Sequence, residues 1–209
     1  MPMFEFDHKD STTLHNNPSY SNKCWEKTIY RRVKRNLKSH FCITQKRLCI
    51  YCRTELEVAC DSEHIEHIVH KEFKPAWMFE PFNLGIACFQ CNTQKGTQHS
   101  LREFARNAVI LPIGSIYYKI VHPHFDNYDF HIEIEDDLFI KSKNKNKGEN
   151  TIEICKLWRP LYADRRARAL SISQSDRLTI ALSRVQRTDI NKDEINAFLE
   201  YVDALTAML

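Results

Sequence analysis

The sequence predicts an α+β fold built around a small ββα unit that carries a four-cysteine zinc site. Two CxxC pairs stand about 35 residues apart, Cys49 with Cys52 and Cys88 with Cys91. Next to them, residues 64–70 and 83–87 have the pattern of short strands, and residues 91–96 open a short helix. An N-terminal basic helix, a small β-hairpin and C-terminal helices are expected to flank this unit.

Four thiolates at this spacing suit a tetrahedral zinc ion, because each x-x step folds into a tight turn that brings its two sulfurs onto one ion. The chain has eight cysteines, and the other four are scattered without a pattern. They are Cys24, Cys42, Cys60 and Cys155. This usage indicates a metal in a reducing compartment. With no signal-peptide pattern and no apolar run of membrane-spanning length, we expect a cytoplasmic protein without membrane contact.

Length and composition describe an ordinary globular protein. The chain has 209 residues, 43% of them hydrophobic, and a net charge of +3, which excludes a disordered chain and a protein that coats polyanions through its overall charge. A single zinc unit cannot fill this length. We expect an arm and basic helix over residues 1–47, the zinc-containing core over 48–105, and a hairpin with helices over 106–209, packed as one globular unit.

The N-terminal region combines a polar arm with a basic amphipathic helix. Residues 1–22 are rich in Ser, Thr, Asn and His and are expected to be poorly ordered. The next segment has an apolar residue at every fourth position. This stripe consists of Trp25, Ile29, Val33, Leu37 and Phe41. Nine Lys or Arg and one acid lie within residues 23–47. Arg31, Arg32 and Arg35 are therefore predicted to contact phosphates, and the alternative is a solvated helix face.

Four polar residues within the zinc frame suit a hydrolytic site. Glu66 and His67 adjoin each other on the first predicted strand, Asn83 precedes the second strand, and Asn92 follows the last cysteine. Cleavage of a phosphodiester bond needs a base for the attacking water and positive charge near the phosphate. A carboxylate, an imidazole and two amides can contribute to such a site, whereas a purely structural zinc finger does not need them.

The arrangement resembles the HNH endonucleases, whose motif places Asp/Glu-His, then Asn, then Asn/His on a ββα unit that two CxxC pairs often hold together. The resemblance implies that His67 is the general base. It implies that Glu66 and Asn92 bind a catalytic Mg²⁺ or Mn²⁺ ion through oxygen atoms. The amide of Asn83 would bind backbone across the loop between the strands and hold His67 in place. Lys95, near the start of the short helix, would face a phosphate.

The geometry of a strand leaves one difficulty. Neighbouring side chains on a regular strand point to opposite faces, so Glu66 and His67 can serve one site only if the chain kinks there. On a straight strand, Glu66 shares its face with His64. The alternative function is a non-catalytic zinc protein that binds nucleic acid or acts as an adaptor.

The second half of the chain contains a connector, a hairpin and helices. Residues 101–107 extend the helical pattern, and 108–113 suit a strand or a buried connector. Alternating apolar residues predict a hairpin within 122–143, and the polar tract 141–150 is expected to be an exposed loop. Packing and turn roles are expected for the histidines of this half.

The last helix begins with Asn191 and Glu194 at the spacing of a capping box. Its predicted apolar face consists of Ile195, Phe198, Leu199, Val202 and Leu205. This face either packs on the core of the protein or serves as a docking surface for a partner.

A looser resemblance extends over residues 45–170. The order IEH, FEPFNL, ACxxCN and HPxFDNYxxHI, followed by an Arg-rich helix, resembles the HNH subunits of prokaryotic anti-phage systems of the Septu type. Proteins of that group work with an ATPase of the ABC/SMC-like kind, sometimes alongside a retron. The resemblance therefore implies an ATPase partner, with the last helix as a docking surface. DNA is the expected substrate by family habit, and tRNA is the alternative.

Overall fold

The computed structural model describes residues 3–18, 21–56, 63–136 and 138–207, which form a mixed α+β fold with two small antiparallel sheets. The helices are α1 (His8–Asn16), α2 (Arg31–Thr44), α3 (Phe89–Lys95), α4 (Lys147–Cys155), α5 (Pro160–Ala169), α6 (Gln174–Val185) and α7 (Lys192–Thr206). The strands are β1 (Glu63–His67), β2 (Leu84–Cys88), β3 (Ile132–Glu135) and β4 (Phe139–Ser142). The α+β class is confirmed, and Cys60 lies outside the described residues.

Buried apolar side chains form two clusters. The larger cluster includes Leu37 of α2, Ile86 of β2 and Ile154 of α4. The smaller cluster includes Phe139 of β4 and Phe198 of α7. Each large side chain removed from water in this way stabilises the fold by about 1.5–3 kcal/mol. The basic helix α2 thus packs in the same core as the cysteine-containing unit. None of the described helices has the length and apolar character needed to cross a membrane.

The N-terminal residues do not form the predicted loose arm, because α1 packs beside α2. Asp7 caps α1 by accepting a hydrogen bond from the backbone N–H of Asp10 at 2.8 Å. Asp10 is almost fully buried, pairs with Arg32 and accepts a hydrogen bond from Asn36 at 2.7 Å. A buried carboxylate needs partners of this kind. The prediction of a poorly ordered arm is therefore wrong for the described residues of this segment.

Helix α2 keeps three residues of the predicted apolar stripe. They are Val33, Leu37 and Phe41, and all three are fully buried. The helix begins only at Arg31, after two short 3₁₀ turns over Asn22–Glu26 and Thr28–Tyr30. The tighter 3₁₀ pitch rotates the preceding residues. As a result Ile29 is 50% exposed, and the neighbouring Tyr30 is buried in its place.

Strands β3 and β4 pair as the predicted hairpin. The tract 141–150 that follows is not an exposed loop, since α4 begins at Lys147. Lys147 is buried, and its ammonium lies 2.6 Å from a carboxylate oxygen of Asp126. Gly148 lies so close to the chain that an added Cβ would stand 2.2 Å from the carbonyl oxygen of His131. The prediction of an exposed loop is therefore wrong, because this polar tract contains the packed start of α4.

Helix α7 covers a core of this chain. Asn191 accepts a hydrogen bond from the backbone N–H of Glu194 at 2.9 Å, which is the predicted cap. The carboxylate of Glu194 is 2.8 Å from Arg184 of α6 instead of reaching back to the cap. Phe198 is buried in the smaller cluster, whereas Leu199 is 43% exposed. The inner face of α7 is therefore turned slightly from the predicted one.

Residues 101–116 form a largely irregular segment, which we call the apolar connector and in which Leu101, Ala105 and Leu111 are buried. It contains a 3₁₀ turn at Glu103–Ala105, and a second 3₁₀ turn, Ser115–Tyr117, begins at its end. Its exposed apolar side chains are Phe104, Val109, Ile110, Ile113 and Ile116. The core holds its backbone, since the indole N–H of Trp77 donates to the carbonyl oxygen of Val109 at 3.1 Å. Residues 108–113 therefore form a connector and not a strand, and this connector is only partly buried, since Leu111 is buried while Val109, Ile110 and Ile113 are exposed.

Candidate metal centre and histidine site

The two CxxC pairs meet in one buried cluster. The four Sγ atoms lie within 4.8 Å of one another. The residues are Cys49, Cys52, Cys88 and Cys91, as predicted. Sγ of Cys52 is 3.9 Å from Sγ of Cys88. In a tetrahedral site with Zn–S bonds of about 2.3 Å, two sulfurs stand about 3.8 Å apart. The cluster fits a metal ion such as zinc in both donor type and spacing.

Local structure brings the sulfurs together. Cys88 ends β2 and caps α3, because its sulfur accepts a hydrogen bond from the backbone N–H of Cys91 at 3.4 Å. In the first pair, the chain turns through Arg53, which has a φ of +56° and donates its backbone N–H to the carbonyl of Cys49 at 3.1 Å. The hydroxyl oxygen of Tyr162 lies 3.4 Å from Sγ of Cys91. Helix α5 therefore also contacts the cluster.

The elements β1, β2 and α3 carry the other predicted residues. The strands pair antiparallel, with Glu66 opposite Gly85 and His67 opposite Leu84. Helix α3 ends at Gly96, whose φ of +46° favours glycine. Because Glu66 and His67 both lie within regular β1, their side chains point to opposite faces. The kink that a shared site requires does not occur in this strand.

The carboxylate of Glu66 is held inside the protein by an ion pair. Its Oε1 is 2.6 Å from Nζ of Lys95 and accepts a hydrogen bond from the hydroxyl of Tyr51 at 3.1 Å. Lys95 is fully buried in the last turn of α3 and also donates to the carbonyl oxygen of His67 at 2.8 Å. The prediction that Lys95 faces a phosphate is therefore wrong, since its ammonium links α3 to β1.

The carboxylate of Glu66 does not fit a catalytic Mg²⁺ or Mn²⁺ ion as it is arranged. An ion at the carboxylate would have to displace the ammonium of Lys95, which lies 2.6 Å away. Asn92 is half-buried on α3. Within the described residues, the cysteine cluster is the one group of three or more His, Cys, Asp or Glu side chains that could hold a metal. At Glu66 the structure therefore has a buried ion pair with Lys95 in place of the predicted binding site for Mg²⁺ or Mn²⁺.

His67 is held in a defined orientation at the end of β1. Its side chain is almost fully enclosed, with 4% of the residue exposed. Its Nε2 lies 3.1 Å from the carbonyl oxygen of Met78. This contact requires the proton on Nε2 and leaves Nδ1 unprotonated. No described residue forms a hydrogen bond with Nδ1. Because it carries no proton, Nδ1 is the nitrogen of His67 that can accept one.

The surroundings keep the imidazole of His67 uncharged. Burial, followed by the charges of Lys71 and Lys95, lowers the pKa of His67 to about 3. Lys71 is half-buried and forms no hydrogen bond or ion pair with a described residue. The imidazole is therefore neutral at physiological pH, and the ammonium of Lys71 is the available positive charge that acts on it.

The amide of Asn83 joins three backbone groups in the loop after β1. Its Oδ1 accepts a hydrogen bond from the N–H of Val69 at 2.7 Å, and its Nδ2 donates to the carbonyls of Val69 and Trp77, each at 3.1 Å. Trp77 immediately precedes Met78, whose carbonyl binds His67. The bracing contacts predicted for Asn83 are therefore present in the structure.

Two of the three arginines predicted to contact phosphates are accessible. Arg31 and Arg35 are exposed on α2, and neither pairs with an acid among the described residues. Arg32 is bound by Asp7 and Asp10 instead. The prediction that Arg32 contacts a phosphate is therefore wrong in this structure, because α1 already neutralises its charge.

Comparisons with family models, with curated proteins and with solved structures found no match to this chain. The resemblance to HNH endonucleases therefore depends on the motif residues and their contacts. Those contacts include a thiolate cluster, a neutral imidazole with one free nitrogen, and an asparagine that braces the loop beside it.

Sequence reasoning missed three contacts of this site. Tyr51 lies inside the first CxxC pair, which places it near the cluster, but the spacing gives no sign of its bond to Glu66. Met78 contacts His67 through its backbone carbonyl, and the pattern of side chains in a sequence cannot indicate a backbone contact. Trp25 was placed on the stripe of a continuous helix, whereas it belongs to a 3₁₀ turn and contacts His67. The regular spacing from Trp25 to Phe41 gives no sign of this break in the helix.

Acid is expected to destabilise the protein through its buried histidines. Burial lowers the pKa of His124 to about 4, and a histidine in the unfolded chain titrates at about 6.5. The unfolded chain binds the proton first, so the free energy of unfolding falls as the pH drops from about 6.5 to about 4. Urea unfolding over this range measures the slope. His124→Gln should flatten the slope and His15→Gln, at an exposed position, should not. Identical slopes in all three proteins would contradict this assignment.

Proposed function

We propose that this chain is a phosphodiester hydrolase of the HNH kind, an endonuclease that uses His67 as its general base. The orientation of the imidazole supports the proposal. Its Nε2 is tied to the carbonyl oxygen of Met78 at 3.1 Å, so Nδ1 is free to accept a proton. The loop that supplies this carbonyl is braced by Asn83. The four-cysteine cluster has the role of a structural zinc site that holds β2 and α3 together.

In this proposal, His67 removes a proton from the attacking water. The water oxygen forms a bond to phosphorus, its proton moves to Nδ1, and the P–O bond to the leaving oxygen breaks. The neutral imidazole starts as a weak base, because burial lowers its pKa to about 3. A phosphate beside the ring favours the imidazolium and raises that pKa towards the range of an effective base. The ammonium of Lys71 offsets the charge that develops on the phosphate.

DNA is the proposed substrate, with tRNA as the alternative. The exposed Arg31 and Arg35 on α2 give this side of the chain a phosphate-binding surface. Exposed guanidinium groups contact backbone phosphates of any sequence, so the proposed surface provides affinity rather than sequence readout. Cleavage of single-stranded DNA and of tRNA is therefore to be measured beside cleavage of a plasmid.

His67→Ala is expected to reduce cleavage by at least about 100-fold, because a positioned general base contributes a factor of this size or more. The assay follows nicking of supercoiled plasmid by the full-length chain with Mg²⁺, with Mn²⁺ and with EDTA. His64→Ala is the matched control, since His64 lies on the same strand but on the opposite face and is half-buried beside Phe89. This variant should cleave at the rate of the wild type.

The outcomes test the role of His67 as general base and the need for a metal ion separately. Equal rates for His67→Ala and the wild type would remove His67 from the mechanism. Cleavage that requires Mg²⁺ or Mn²⁺ would mean that Lys95 leaves Glu66 during the reaction or that the ion binds elsewhere. Cleavage in EDTA would mean that the ammonium groups near His67 suffice to offset the phosphate charge.

A second candidate is a zinc protein that binds nucleic acid without cleaving it. The observations that favour it are the enclosure of His67, which is 4% exposed, and the pairing of Glu66 with Lys95. This candidate predicts salt-sensitive binding that does not depend on His67 or Glu66 but weakens when Arg31 and Arg35 are replaced. The endonuclease proposal predicts the loss of cleavage in His67→Ala, so one set of proteins distinguishes the candidates.

An ABC/SMC-like ATPase is the proposed partner, and anti-phage defence in the cytoplasm is the proposed setting. Both are inferred from the looser resemblance over residues 45–170. The apolar face of α7 is unsuited to docking, because Phe198 and Leu205 are buried within this chain. Co-purification of the full chain with an ATPase of this kind tests whether the two proteins bind each other. The cytoplasm suits the four-cysteine cluster, because a reducing compartment keeps its thiolates available for metal.

A further inference from the structure

We propose that Trp25 is a positioning residue for His67, whose indole holds the imidazole so that Nδ1 faces the substrate. This inference rests on the proposed function of His67. The two ring centroids are 4.5 Å apart, and the ring planes meet at 80°. Edge-to-face contacts of this kind are favourable between aromatic rings and have a defined direction. The contact joins the N-terminal region to the end of β1.

The hydrogen bond to Met78 cannot fix the imidazole alone. The χ2 torsion of a histidine is soft, so a single bond at Nε2 still allows the ring to swing about its Cβ–Cγ bond. Trp25 lies against the ring of His67 and blocks this movement on one side. Two contacts from different directions, one to a carbonyl and one to an indole, therefore define one orientation of the proposed base.

Trp25 is itself held from two sides. The ammonium of Lys34 donates to the carbonyl oxygen of Trp25 at 2.9 Å and lies 5.2 Å from the centroid of the indole. On the other side, the ring of Phe79 packs at a centroid distance of 5.3 Å. The cation–π contact and the hydrogen bond tie the indole to α2. The basic helix therefore contributes to the site through the placement of this ring as well as through its exposed arginines.

The effect of Trp25 on His67 is separable from a role in the core. Trp25 is half-buried, whereas Tyr30 and Phe79 beside it are buried. Replacement of a half-buried side chain removes less apolar area from the core than replacement of a buried one. A variant at this position can therefore keep the fold while it releases the imidazole.

The experiment compares Trp25→Leu, which removes the aromatic ring but keeps an apolar side chain, with Trp25→Phe, which keeps an aromatic edge. Trp158→Leu is the matched control, because Trp158 is also half-buried and makes a cation–π contact with Lys156. No ring contact or hydrogen bond joins Trp158 to His67 among the described residues. The first readout is the titration and tautomer of His67 in heteronuclear NMR spectra of ¹⁵N-labelled protein. The second readout is plasmid cleavage, divided into kcat and KM. Circular dichroism and zinc content verify the fold of each variant.

Trp25→Leu is expected to expose the imidazole and so shift the His67 titration to higher pH, with both tautomers populated. Cleavage should fall about 100-fold in kcat with little change in KM, as for a misplaced catalytic group. Trp25→Phe should recover most of both properties, and Trp158→Leu should leave them unchanged. A His67 titration and tautomer identical to the wild type in folded Trp25→Leu would overturn the inference. If the NMR changes occur but His67→Ala cleaves normally, the positioning stands and the proposed base fails.

Discussion

Removal of metal from the four-cysteine cluster is expected to unfold the ββα unit. The four sulfurs lie within 4.8 Å of one another in the buried interior. Thiolates at this distance repel one another without a cation, and structural zinc ions contribute about 10 kcal/mol or more of binding free energy to folding. Chelation should therefore abolish the cooperative thermal unfolding transition of the native protein. One equivalent of zinc should be released on treatment with a thiol-modifying reagent, as measured with a colorimetric chelator.

Cys88→Ser is expected to reproduce the effect of chelation, because this residue both belongs to the four-cysteine cluster and caps α3. Cys42→Ser is the matched control, since Cys42 is half-buried and lies outside the cluster. This control should keep its zinc and its unfolding transition. A metal-free wild-type protein that melts at the temperature of the untreated protein would show that the cluster does not need an ion.

Lys95→Met is expected to lower the free energy of unfolding by about 3–5 kcal/mol, because it leaves the buried carboxylate of Glu66 without its cation. Nζ of Lys95 is 2.6 Å from Oε1 of Glu66 and 2.8 Å from the carbonyl oxygen of His67. Both acceptors are buried, so water cannot replace the ammonium without a rearrangement. Urea unfolding at neutral pH measures the loss.

The double variant Glu66→Gln with Lys95→Met should regain most of that stability, because it removes the charge together with its partner. The hydroxyl of Tyr51 can still donate to the amide oxygen that replaces the carboxylate. Lys38→Met on α2 is a control for the loss of a lysine, since Lys38 is half-buried and lies outside this ion pair. Additive losses in the double variant would mean that the two side chains do not form the pair described above.

The elements near the cysteines could be predicted from the sequence because their signals are local. CxxC spacing places two sulfurs on one turn, alternation marks β1, a short apolar run marks β2, and a glycine at position 96 ends α3. The backbone contacts of Asn83 follow from the resemblance and from the capacity of an amide to donate and accept at once. The hairpin of β3 and β4 could be predicted for the same reason, since its alternation is contained in one short stretch.

Several of the wrong predictions concern charged side chains whose partners lie far along the chain. Arg32 and Lys95 were expected to contact phosphate, yet their charges are matched by carboxylates on α1 and β1. Lys147 was assigned to an exposed loop for its composition, although Asp126 pairs with it. A charged residue looks the same in a sequence whether it is solvated or paired inside the protein. Only the fold decides which of these occurs, because it determines which acid lies within reach.

The apolar connector affects how this protein behaves in concentrated solution. Its β-branched side chains remain in water while its backbone is fastened to the core, so the chain cannot bury them by refolding locally. Sulfate and other kosmotropic salts strengthen apolar association. Salting-out should therefore bring molecules together through this stretch first, and low-salt storage with a mild detergent should keep them apart.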